Sequence, residues 1–187
     1  MHTKHEMRVN ILIAIAMFLL SAYGAQGGQS PNAGQEARSI KALSPSEIKG
    51  YLTGKGMGFA KAAELNHYPG PKHVLDLANE LELTKEQLEQ TKAMFASMKK
   101  QAVKLGKQLV EKERQLDQLF ASGSIDTVQL KRMVLEIGSL KAKLRYVHLQ
   151  AHLRQKEILT PHQVKRYDQL RGYGKAGLGH GHHHEGH

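Results

Sequence analysis

The chain has 187 residues, with 27 Lys and Arg against 17 Asp and Glu and a net charge of +10 when its 12 histidines are neutral. It has no cysteine, which excludes disulfides, thiolate metal sites and a cysteine nucleophile. With 5% aromatic residues and no tryptophan, its core must come from Leu, Ile, Val, Met and Ala, which suits thin helical packing better than a deep globular interior.

Residues 1–25 read as a secretory signal peptide. Lys4 and Arg8 precede an apolar run from Val9 to Leu20, and Ala22 and Gly24 follow as small residues for cleavage near Gly24 or Ala25. The run of 12 residues is shorter than the ~20 that a spanning helix needs. The expectation is export with no stable membrane insertion after cleavage. No cysteine follows the run, which excludes a lipid-anchored N-terminus. Losing Lys4, Arg8 and Glu6 with the leader leaves 25 basic and 16 acidic residues, a net +9. The cations are scattered along helix faces, not massed in one block. Outside the cytoplasm they favour acidic or unfolded proteins, anionic lipid and envelope polymers as partners, not nucleic acid.

Residues 26–43, rich in Gly, Gln, Ser and Asn, read as a flexible leader. Ser44-Pro45-Ser46-Glu47 is a helix start, with a cap, a proline at the first position and a glutamate at the third. The spacing predicts helix from there to Leu65, although Gly50, Gly54, Gly56 and Gly58 can mark a bend or a close backbone contact. Pro69 and Pro71 break the chain, and a short helix is expected to about Leu81.

Leu83-Thr84-Lys85-Glu86-Gln87 recurs 76 residues later as Leu159-Thr160-Pro161-His162-Gln163. In each copy the threonine can cap a helix while the glutamine reaches back to the threonine N–H, which is a capping box. Between them, Leu88, Phe95, Ala102, Leu109 and Leu116 recur every seven residues, with Thr91, Met98, Leu105 and Leu119 offset by three. A turn at Ser122-Gly123-Ser124 leads to Asp126 as the next cap. The second seam is Leu130, Ile137, Leu144, Ala151 and Ile158, with Met133, Leu140 and Val147. Two helices of nearly equal length joined by a tight turn predict an antiparallel hairpin. The chain is therefore expected to be all-α, a long helical hairpin with short flanking helices over residues 44–172.

Apolar residues also lie beside the seams: Met94, Val103 and Phe120 on the first helix, Val134, Leu135 and Leu149 on the second. Some are expected under the short helices; the rest suggest a homodimer or a client-binding surface. Residues 173–187 form a glycine- and histidine-rich tail in which His180, His182, His183, His184 and His187 gather beside Glu185. Imidazoles accept Zn, Ni and Cu ions readily. His148 and His152 stand one helical turn apart and can chelate from one face; two histidines flanking a seam fit the spacing equally. His162, inside a capping box, is expected to be exposed. Gly54-Lys55-Gly56-Met57-Gly58 has neither the strand nor the lysine spacing of a phosphate loop. No catalytic constellation or organic-cofactor motif is present, so an enzyme is not expected.

Export, the helical hairpin, Leu83, Thr84 and Gln87 paired with Leu159, Thr160 and Gln163, and the histidine-rich terminus together resemble the Spy/CpxP family, which has the zinc-binding ZraP and metal-sensing CnrX proteins as relatives. The resemblance implies a periplasmic, curved, antiparallel dimer of hairpins. In the family's chaperone members a concave apolar and basic surface binds unfolded or misfolded proteins without ATP. The expectation is an envelope chaperone or stress protein with metal-binding capacity. The rival expectation is a heavy-metal sensor signalling to an envelope sensor protein through His148 and His152. The first helix has no His-x-x-x-His, where such a sensor would carry one.

Overall fold

The computed structural model describes residues 30–173. The signal-peptide reading and the tail histidines His180, His182, His183, His184 and His187 lie outside these residues. The chain divides into two units, Met1–Ala37 and Arg38–His187. In the described part of the first, residues 30–37 form tight turns closed by Ala33 N–H to Ser30 O and Gln35 N–H to Asn32 O.

Among the described residues the second unit is all-helical: α1 Pro45–Thr53, α2 Lys61–Glu64, α3 Pro71–Asp76, α4 Lys85–Ala121, α5 Thr127–Ile158 and α6 Pro161–Arg171. Four begin with a complete capping box, at Ser44/Glu47, Thr84/Gln87, Asp126/Gln129 and Thr160/Gln163. Each box satisfies two backbone donors that a helix start leaves orphaned. The expected first helix to Leu65 is instead broken. Gly54 takes a left-handed φ of 67° and caps α1, and the chain turns through Gly58 before the single turn of α2. The expected helix to Leu81 also stops early, at Asp76, and the chain turns back through Glu82 at φ 50°.

α4 and α5 form the antiparallel hairpin. Gln155 Nε2 donates to Thr91 Oγ1 at 3.2 Å, where both residues are fully buried, and toward the turn Lys141 pairs with the buried Glu113 at 2.9 Å. The main core takes Met98, Ala102 and Leu109 from α4, Ile137, Leu144 and Ala151 from α5, and Tyr51 from α1. Ile40 and Leu43, which composition placed in the leader, are buried in it, and Lys41 pairs with Asp117 at 3.2 Å. The seam fades at its ends: Leu88 and Leu116 are half-buried, and near the turn Leu130 is exposed. Of the residues beside the seam, Val103 is half-buried against Gly54, while Phe120, Val134 and Leu135 stay exposed.

A second core closes the open end of the hairpin with Val74, Leu81, Leu159 and Tyr167. The paired motifs meet there. Gln87 Nε2 donates to Gln163 Oε1 at 2.9 Å and Gln163 Nε2 donates to Gln87 Oε1 at 3.0 Å. The same Nε2 groups also reach Ile158 O at 2.9 Å and Leu81 O at 3.1 Å. Each glutamine thus caps its own helix and ties the start of α4 to the α5–α6 junction. The recurrence at 76 residues is a reciprocal amide pair, more than two independent helix starts.

Candidate functional site: a histidine-lined cavity beside the hairpin

A cavity of about 650 Å³ opens between the loop after α1, the start of α3 and the hairpin; Phe95, Met98, His148 and His152 are among its walls. A regular α5 places His148 and His152 on one face, four residues apart, as the spacing required. His148 is buried; its ring stacks on Phe59 with centroids 5.9 Å apart, and its Nε2 has no hydrogen-bond partner. His152 Nδ1–H donates to Tyr68 O at 2.8 Å, which leaves Nε2 as the ring's lone-pair nitrogen. Gly70 makes room for that ring: a Cβ there would lie 2.9 Å from His152 Cε1.

Glu64 is the acidic partner that sequence reasoning missed. Its Oε1 accepts from Tyr167 Oη at 2.5 Å and Tyr173 Oη at 2.8 Å, and Arg171 Nε stands 3.5 Å away. Its Oε2 is buried without a hydrogen-bond partner, 3.6 Å from His152 Nδ1. These contacts span up to 109 residues of chain, and nothing in the local Lys61–Glu64 sequence signals them. Burial, and the hydrogen bond to Glu64, hold the Tyr167 hydroxyl protonated far above the usual tyrosine range. The site thus offers two imidazoles and one carboxylate around a shared space. Among the described residues, however, no three His, Asp or Glu side chains already stand close enough together to hold a metal ion. A metal at His148 and His152 would require Glu64 or a further donor to move.

The other histidines are dispersed. His67 pairs with Asp168 at 2.8 Å, His73 sits at the cavity edge 3.7 Å from Asp76, and His162 is exposed as its capping position implied.

Burial, with the neighbouring His152 adding to it, lowers the pKa of His148 below the ordinary histidine value. The folded state therefore keeps His148 neutral while the unfolded chain takes up a proton near pH 6.5. Its contribution to stability is full above about pH 6.5 and is lost as pH falls toward the lowered folded value. In thermal melts from pH 8 to 5, His148→Leu is expected to lose less stability on acidification than wild type. His73, lowered mainly by burial, keeps part of the slope in both. Equal slopes would contradict a neutral buried His148.

Beyond the cavity, the side of α5 opposite the core carries an apolar stripe. Val128, Leu135, Tyr146 and Leu153 are exposed at 78, 64, 62 and 52%, with the half-buried Leu149 between the last two. Spacings of 7, 11 and 7 residues place them along one line of the helix. Exposed Lys131, Arg132, Lys143 and Arg145 flank it.

No helix among the described residues is long and apolar enough to cross a membrane. The model of the LTXXQ motif family protein matches residues 70–171, more than half of the chain. No curated protein and no solved structure matches the chain. The chain belongs to the LTXXQ motif family, the Spy/CpxP-type family, whose members are periplasmic and non-enzymatic.

Proposed function

We propose that this LTXXQ protein is an ATP-independent periplasmic chaperone that holds unfolded envelope proteins, with metal-binding capacity in its histidines. The observation that carries the reading is the exposed α5 stripe of Val128, Leu135, Tyr146 and Leu153 bordered by lysines and arginines. Exposing four large apolar side chains along one line of a helix has a cost, so the line marks an interaction surface. Apolar contact suits exposed core segments of unfolded clients, and the flanking cations suit their acidic residues and speed encounter. A homodimer belongs to the same proposal: Phe120, Leu130 and Val134, exposed near the turn of the hairpin, are where a second copy gains most.

The stripe lies opposite the core, so Leu135→Asp with Tyr146→Asp is expected to leave helicity and melting temperature near wild type. Affinity for a fluorescently labelled unfolded client, read by anisotropy, is expected to fall at least fivefold. Unchanged affinity would remove the basis of the reading.

A second reading, a heavy-metal sensor that signals to an envelope regulator, is favoured by the unpartnered His148 Nε2 and Glu64 Oε2 at one cavity. Calorimetric titration with Zn, Ni and Cu separates the two. Binding that survives truncation at Gly172 and is lost in His148→Ala with His152→Ala supports the sensor. Binding lost with the tail assigns metal capture to His180, His182, His183, His184 and His187.

A further inference from the structure

The loop Gly54-Lys55-Gly56-Met57-Gly58 has a role that neither a client surface nor a metal site uses. It forms one wall of the 650 Å³ cavity, a volume within the roughly 300–1,000 Å³ range of small-molecule sites. The backbone N–H groups of Lys55, Phe59 and Lys61 are bonded to Gly50, Gly56 and Gly58 carbonyls. Those of Gly56, Met57 and Gly58 find no acceptor among the described residues. Gly54, Met57 and Gly58 hold left-handed backbone, at φ 67°, 43° and 79°.

The charge at this wall is one-sided. Lys55, Lys61 and Lys99 line the cavity and form no ion pair with a described residue, whereas Lys72 is taken by Asp76 and Arg171 by Glu64. The lining carboxylate, Glu64, already accepts two tyrosine hydroxyls. Three unneutralised ammonium groups and the loop that carries three unbonded N–H groups therefore border a space that the exposed Met57, the half-buried Phe95 and the buried Met98 also line. Cations and free donors at the mouth of an apolar space fit one chemical class: a small anionic head on an apolar chain.

We propose that this cavity binds a single-chain anionic amphiphile, a fatty acid or lysophospholipid. Its chain lies against Met57, Phe95 and Met98, and its head group meets Lys55, Lys61, Lys99 and the Gly56–Gly58 N–H groups. The inference does not depend on chaperone activity. An amphiphile on the α5 stripe would be a different event, and the test separates the two.

The test is calorimetry on the mature chain (residues 26–187) with EDTA present and every amphiphile below its micelle concentration. Probes are laurate, lauroyl lysophosphatidylglycerol, the neutral lauryl maltoside and inorganic phosphate. The expected result is one laurate or lysophospholipid per chain, with maltoside and phosphate at least tenfold weaker. Combined Lys55→Gln, Lys61→Gln and Lys99→Gln, all at solvent-facing positions, is expected to weaken laurate at least fivefold. Met57→Glu, in the exposed loop, weakens it for a separate reason, whereas Leu135→Asp with Tyr146→Asp leaves it unchanged. Equal binding of the maltoside, phosphate as tight as laurate, several laurates per chain, indifference to the lysine changes, or loss in the stripe variant would each overturn the proposal.

Discussion

Gln163→Glu is expected to lower the unfolding free energy by about 3 kcal/mol or more at pH 7. Gln163 is buried, and its Nε2 supplies the donor to both Leu81 O and Gln87 Oε1. A carboxylate has no such donor, so the buried Leu81 carbonyl loses its partner, Gln87 Oε1 keeps only the Thr84 N–H, and both oxygens face a negative charge at about 3 Å. Thr160 N–H and Gln87 Nε2 still donate to the remaining oxygen, so the helix cap survives while the bridge between motifs fails. The carbonyls raise the pKa of the introduced carboxyl group in the folded state. The deficit relative to wild type therefore shrinks as pH falls toward about 4, where that carboxyl group is protonated and donates again. Gln129→Ala provides the contrast. Gln129 completes the third capping box but bonds only to Asp126, so its loss costs about 1 kcal/mol or less. Urea titrations at pH 7 and pH 4.5 check both; equal losses for the two glutamines would mean that the amide pair adds nothing beyond local caps.

Gly106→Val is expected to be as damaging, at about 3 kcal/mol. Gly106 is buried where α4 passes the end of α1, and a Cβ there would run into the Tyr51 carbonyl group. The obstacle is backbone, so no rotamer change relieves it, and α1 must lift from the hairpin. The loop 54–58 leaves the same end of α1, so this variant is also expected to open the cavity wall. Gly138→Ala tests that the effect is contact and not helix propensity. Gly138 lies in α5 with open space where its Cβ would stand, so alanine there raises stability by about 0.5–1 kcal/mol. For a domain of this size, 1 kcal/mol moves the melting temperature by about 2–4 °C, well within the reach of circular dichroism.

Much of the fold is legible in the chain because its determinants are local. Capping boxes at Ser44, Thr84 and Thr160 and the Asp126 cap announce helix starts within four residues, and heptads announce the faces that meet. What escapes is set by partners distant in sequence. The residues around Gly54 look helical until the crossing of α1 over Gly106 requires the chain to turn away. Leu130 fits the seam by period but lies beyond the helices that would cover it, since periodicity identifies a face and not its cover. The same limit applies to the paired motifs: each glutamine reads as a cap, and only the fold brings the two amides within 3 Å. At the cavity, His148 and His152 could be placed on one helix face from their spacing. Glu64 could not, because Tyr167, Tyr173 and Arg171 reach it from more than 100 residues away.

Light scattering of a chemically denatured client diluted into buffer, with and without residues 26–187 of the protein and with no nucleotide present, tests the chaperone reading most directly. The account predicts that aggregation is suppressed near a one-to-one ratio of the expected dimer to client, and that Leu135→Asp with Tyr146→Asp restores it. Aggregation that proceeds unchanged at severalfold excess of the wild-type protein would contradict the account and leave the histidine cavity as the protein's working site.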